Sequence, residues 1–373
     1  MGLNPRVYLA VAAVAGLIGA TVIAASPAKT APAAKKSYGF VVSSLFTAMN
    51  DSKYMDECPE GLTESNDERW LRNMTPEQRE KVTAGGKRTH VDRRLAAALR
   101  GPNGEDVCWN PELVKDPPMR TVQSGTSFGM NLDGTTDGKA TAKSCAHQKF
   151  VGVDGTPAVD NQLFRLMGCT KGWRSDGYIE NSAQTERLDI SQGIILVEVT
   201  DVDDTRNDDD VKVSFYRPTD KLLKDGTGAV LTYVSYQIDP TRYGDTAKGR
   251  IKDGVLTTDP IDVHLPFFGN VVISEMYLKD MRLKLNMAAD GSSAKGQMFG
   301  YYDWETWWDY TRKIGLAVIA RHSCPALYEA SRRLADGYPD PVTGECTALS
   351  SAFKVEMVPA FVVHPNIKTA QAH

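Results

Sequence analysis

The spacing of hydrophobic positions changes along the chain. From Arg120 to Tyr302 apolar residues fall in short alternating runs separated by clusters of Gly, Asp, Asn and Pro, the pattern of an antiparallel sheet protein. The clearest predicted strands are Gly193–Val199, Val211–Tyr216, Ala229–Ile238, Val271–Tyr277 and Met281–Met287. In the last of these, Met and Leu alternate with Arg282, Lys284 and Asn286, so one face must be buried and the other wet. Strands at this spacing, with turn residues between them, predict an antiparallel β-sandwich or jelly-roll-like core.

Flanking blocks read differently. Tyr38–Met49 suits either a first strand or a short buried helix. Thr75-Pro76-Glu77-Gln78 is a helix start, with Thr as N-cap, Pro in the first position and an acid in the first turn. Val91–Leu99 predicts a second helix that ends at Gly101-Pro102. Beyond the sheet region, Trp304–Ala320 and Cys324–Leu334 return to helical spacing, and Val355–Val363 reads as a closing strand. The predicted organisation is therefore a helical, loop-rich segment over 37–120, a β core over 121–302 and a helical cap over 303–373, mainly β but α+β overall.

The first residues change the picture of where the chain works. Arg6 is followed by an uncharged apolar run, Val7–Ala25, with small residues before a cut after Ala24 or Ala25 and a linker over 26–36. This predicts export to the periplasm or the exterior. The alternative is a retained inner-membrane anchor, because the run approaches the roughly 20 residues that span a bilayer.

Cysteine usage agrees with export. All six cysteines, Cys58, Cys108, Cys145, Cys169, Cys324 and Cys346, lie beyond the apolar run, and an even count in an exported chain predicts a disulfide framework. Short loops close most easily, which favours Cys58–Cys108, Cys145–Cys169 and Cys324–Cys346. A weaker alternative is a metal site assembled from Cys145-Ala146-His147 and His322-Ser323-Cys324. The net charge of −4 gives no basic footprint, so nucleic acid is not an expected partner.

Two acidic turns are candidate calcium sites. Asp133 and Asp137 flank a Gly/Thr loop with oxygen ligands at alternate positions, although Ser144 stands where a calcium loop carries its bidentate Glu. Asp201, Asp203, Asp208 and Asp210 belong to a run of six aspartates in ten residues, which calcium or free solvation would relieve. A Gly/Asp hairpin turn needs the same residues for backbone reasons.

The densest aromatic cluster is Tyr301–Tyr310. Its Trp304, Trp307 and Trp308 could stack on a sugar or a protein partner, or form the buried face of a helix at i, i+3 and i+4 spacing. Asp303, Glu305 and Asp309 lie beside them and could serve a carbohydrate-active hydrolase. The sequence has no Gly-x-Ser-x-Gly elbow, no His-Glu-x-x-His pair and no phosphate-binding Gly-rich loop with Lys. The expected role is thus binding or structural, with a tethered accessory subunit of a membrane complex and a carbohydrate hydrolase as alternatives.

Overall fold

The computed structural model describes residues 35–50, 54–65, 68, 71–72, 74–84, 100–314 and 323–365. The apolar run Val7–Ala25, most of the linker, the helix expected over Val91–Leu99, residues 315–320 and His322 lie outside the described residues.

Twelve strands are defined: β1 (Lys36–Thr47), β2 (Thr126–Ser127), β3 (Val151–Gly152), β4 (Leu196–Val202), β5 (Asn207–Pro218), β6 (Val234–Lys252), β7 (Val255–Thr258), β8 (Ile261–Gly269), β9 (Val272–Met287), β10 (Ala294–Asp303), β11 (Gly337–Pro339) and β12 (Cys346–Val363). The α-helices among the described residues are α1 (Tyr54–Glu57), α2 (Pro76–Thr83), α3 (Gln162–Met167), α4 (Tyr178–Arg187), α5 (Trp304–Lys313) and α6 (Cys324–Leu334). Helix α2 starts as its sequence predicts, with a reciprocal capping box between Thr75 and Gln78.

The strand order β1-β4-β5-β6-β7-β9-β10-β12 returns to β1, so eight antiparallel strands close into a barrel. The predicted sandwich or jelly roll is therefore not what forms. Alternation is identical in a barrel and a sandwich, since both bury one face of each strand. Closure depends on β1 meeting β12, from Gly39 opposite Ala360 to Thr47 opposite Phe353, a pairing between chain ends that periodicity does not encode. Both strands lie outside the predicted core region of 121–302. Gly39 is required at this seam, because a Cβ there would sit 2.5 Å from the Ala360 carbonyl oxygen.

Alternation correctly orients β9. Met281, Leu283, Leu285 and Met287 point inward, and Arg282, Lys284 and Asn286 do not. The runs expected as separate strands, Val271–Tyr277 and Met281–Met287, form this one strand, which pairs in turn with β8 and β7 along one edge. The β8–β9 hairpin turns on Asn270 and Val271, both left-handed at φ 49° and 60°, as a two-residue type I′ turn demands. Helices α3, α4 and α5 cover one side of the core, with Phe164, Ile179, Trp307 and Tyr310 buried among barrel residues.

The cysteines form three disulfides, but none of the nearest-neighbour pairs. The bridges are Cys58–Cys169, Cys108–Cys324 and Cys145–Cys346. Tertiary packing overrides loop length here: each bridge spans more than a hundred residues and ties a segment outside the barrel to the end of α3, to α6 or to β12. The metal reading of Cys145 and Cys324 falls with it, since both sulfurs are oxidised and joined to different partners. Three disulfides that use every cysteine fit an exported protein that matures in an oxidising compartment. Among the described residues, no helix is long and apolar enough to cross a membrane.

Candidate functional site

A groove of about 530 Å³ lies where α5 meets the outer side of β5, β6 and β9. Helix α5 begins at Asp303, whose carboxylate caps it by accepting from the Thr306 amide at 3.1 Å and also pairs with Lys279 at 3.0 Å. Nearly two turns on, Asp309 holds Arg312 at 2.7 Å and Lys313 at 2.5 Å. Burial works against its charge, but these two cations keep the Asp309 carboxyl below the ordinary range. Glu305 faces the groove and forms no ion pair among the described residues.

The facing wall comes from distant strands. Glu275 on β9 accepts from Arg242 at 3.1 Å and from His264. Arg217 on β5 pairs with Asp239, whose carboxyl is pulled down to about 2, chiefly by the Thr241 hydroxyl and amide and also by Arg217. Tyr243, left-handed at φ 67°, brings its ring within reach of both guanidinium groups, 5.3 Å from Arg242 and 5.9 Å from Arg217. The Arg312 guanidinium lies 4.3 Å above the exposed ring of Trp109. The groove thus presents three guanidinium groups, four carboxylates and an aromatic ring, most of them fixed by a partner.

The tryptophans of α5 take the buried-face alternative and not the ligand-stacking one. Trp304, Trp307 and Trp308 are all buried. Trp304 stacks on Trp308 at 5.9 Å and donates from Nε1 to Ser331 Oγ of α6 at 2.9 Å, while Trp307 points into the protein. The acids next to them, Asp303, Glu305 and Asp309, are what reaches the groove. Their partners Arg217, Arg242, Tyr243 and Glu275 were not singled out from the sequence, because only the fold brings them together.

The acidic turns also resolve into geometry. Asp201 pairs with Lys212 at 2.9 Å, and Asp208 accepts the amides of Asp203 and Asp210 at 2.6 and 3.0 Å, shaping a tight β4–β5 hairpin. Asp137 pairs with Lys139 at 2.7 Å. Asp133 belongs to a buried ionic cluster that sequence reading did not assemble. Its Oδ1 accepts from Lys149 at 2.5 Å and its Oδ2 from Ser144 at 2.9 Å.

Lys149 also reaches Asp160 at 2.7 Å, and Asp160 accepts from His147 Nε2 at the same distance. His147 Nδ1 faces the Cys145 carbonyl at 2.8 Å. Both ring nitrogens therefore face acceptors, and only the imidazolium form donates to both. Burial opposes that charge, but Asp160, Asp336 and the Cys145 carbonyl together raise the His147 pKa. Asp336, also buried, is pushed up to about 7 by burial, against the pull of His147 and Ser350. Asp133, His147 and Asp160 bring potential metal-ligand atoms within 4.8 Å of one another, but the Lys149 ammonium already supplies positive charge between the two carboxylates.

A third feature is interior. A cavity of about 40 Å³ lies between α4, α5 and the barrel wall, lined by apolar side chains together with Glu180, Arg187, Trp173 and Tyr302. Burial pushes the Glu180 carboxyl up to about 7 although Thr47 donates to it.

Fold and site together define a closed antiparallel β-barrel braced by three disulfides, with a charged external groove. No family model matches the chain, and no solved structure matches it. A curated adenylate kinase of Desulforapulum autotrophicum is 32% identical over 94 residues. The similar stretch is 24% of this chain and 42% of that protein, so the chain spans less than half the length of this relative. A likeness of that extent carries neither fold nor activity across.

Proposed function

We propose that this is an exported binding protein, and that the groove beside α5 takes a hydroxyl-rich ligand of the size of a short oligosaccharide. The observation that carries the reading is the groove's lining: Arg217, Arg242 and Arg312 interleaved with Glu275, Asp303 and Asp309, with the Tyr243 ring near two of the arginines. Its volume falls in the range of small-molecule sites. Paired guanidinium and carboxylate groups offer donors and acceptors side by side, as vicinal hydroxyls require, and their ion pairs fix them before the ligand arrives. Tyr243 adds a ring face for the apolar side of a sugar.

The test is calorimetric titration of the oxidised protein with a panel of neutral and acidic oligosaccharides, repeated with Arg242→Ala. Saturable binding lost in the variant supports the reading; no binding by any saccharide overturns it. Slow cleavage of a bound saccharide, abolished by Glu305→Gln, would replace binding by hydrolysis at the same groove.

A further inference from the structure

We propose that the interior cavity beneath α4 is a site for a small monovalent anion, such as a halide or a formate-sized carboxylate, held by Arg187 and Trp173. This site is separate from the groove: Trp307 and Tyr310 of α5 line the cavity, whereas Thr306 and Asp309 of the same helix line the groove.

The argument begins with charge. Arg187 is 1% exposed, and among the described residues no carboxylate lies within ion-pair distance of it. Its Nη1 donates to the Val42 carbonyl at 3.3 Å and its Nη2 to Gln184 Oε1 at 2.8 Å, both neutral acceptors. Burial alone lowers its pKa to about 10, so the group still carries its proton at any ordinary pH. Buried charges in proteins are normally paired, because an isolated ion loses its hydration without recompense.

Hydrogen bonding points the same way. The Arg187 Nε–H and the Trp173 Nε1–H are both buried with no protein acceptor. Arg187 and Trp173 line one cavity. An anion against both would satisfy two orphan donors and the guanidinium charge at once. Water would satisfy the donors and leave the charge.

Size then limits the occupant. About 40 Å³ admits one or two water-sized groups and excludes sugars, nucleotides and larger acids. Glu180 lines the same cavity, and with its pKa raised to about 7 by burial its carboxyl is mainly the neutral acid below that pH. Apart from Thr47, Tyr302 and Tyr310 the remaining wall is apolar, including Leu163, Phe267, Met276 and Phe353, a setting that strengthens every charge interaction inside it.

The experiment uses the oxidised full chain. Its thermal midpoint is followed in bromide, chloride, nitrate and formate at constant ionic strength, balanced with gluconate, and crystals soaked in bromide are measured at the bromine absorption edge. The expected result is saturable stabilisation by the small anions and an anomalous peak beside Arg187 Nε and Trp173 Nε1. Trp173→Phe, which keeps a large ring but removes the donor, should weaken the anion about tenfold, the cost of one hydrogen bond to a charged group. Arg187→Met should abolish the effect. Midpoints that do not depend on the anion, or a cavity holding only water in the bromide crystals, would overturn the proposal, even if Arg187→Met failed to fold.

Discussion

Replacing Glu180 by Gln isolates one term in the pH dependence of stability. Gln keeps the shape of the side chain and can still accept from Thr47, but it does not titrate. In the folded protein burial raises the Glu180 pKa from 4.5 to about 7. A raised folded pKa means that this group's stabilising share is complete below about 4.5 and is lost as pH rises through about 7. The displacement corresponds to roughly 3 kcal/mol, of which roughly 2.5 kcal/mol falls between about pH 5 and about pH 8. Asp336, raised to about 7, and His147, also raised, give slopes of the same sign in both proteins. The informative quantity is therefore the difference between wild type and Glu180→Gln, measured by urea unfolding with the disulfides intact in a gluconate buffer. That difference should move by about 2.5 kcal/mol across the interval, with wild type gaining as the solution is acidified. Parallel curves, within about 0.5 kcal/mol, would refute the assignment of a buried carboxyl with a raised pKa at this position.

Further predictions test the interior cluster, the hairpin and the acidic turn. Lys149→Met leaves Asp133 and Asp160 buried without their shared cation, so urea unfolding should report a loss of about 3–5 kcal/mol. Val271→Gly creates an Asn-Gly pair at a left-handed turn, relieves a β-branched residue at φ 60°, and should raise stability by about 1 kcal/mol. Calcium titration followed by thermal midpoint tests the β4–β5 aspartates: stabilisation at millimolar calcium that disappears in Asp208→Asn assigns the ion to that turn, and an unchanged midpoint removes it.

Local features of this chain were legible and non-local ones were not. The capping box at Thr75, the two-faced strand ending at Met287 and helix α6 follow from contacts a few residues apart. Barrel closure depends on β1 and β12, which sit at opposite ends of the described chain and look like any other strands. Half of the groove was visible in the acids beside the tryptophans. The other half was not, since Arg217, Arg242 and Glu275 are ordinary outward residues of their own strands until the fold aligns them. Glu180 and Arg187 carried a faint signal. They lie seven residues apart on α4, on the face that also holds Ala183, so two inward titratable groups were readable there only once that face was known to be buried.

The order of the bridges bears on how the molecule matures. Numbered along the chain, the first cysteine joins the fourth, the second the fifth and the third the sixth. An oxidase that meets the thiols as they emerge finds Cys58 and Cys108 together long before Cys169 is within reach, and joining those two blocks both of their native partners. No native bridge can close until Cys169 is present, and the set is complete only when Cys346 arrives with the strand that shuts the barrel. Oxidation in order of emergence would thus have to be undone by thiol exchange, and refolding yield should rise more with a disulfide isomerase than with an oxidant alone.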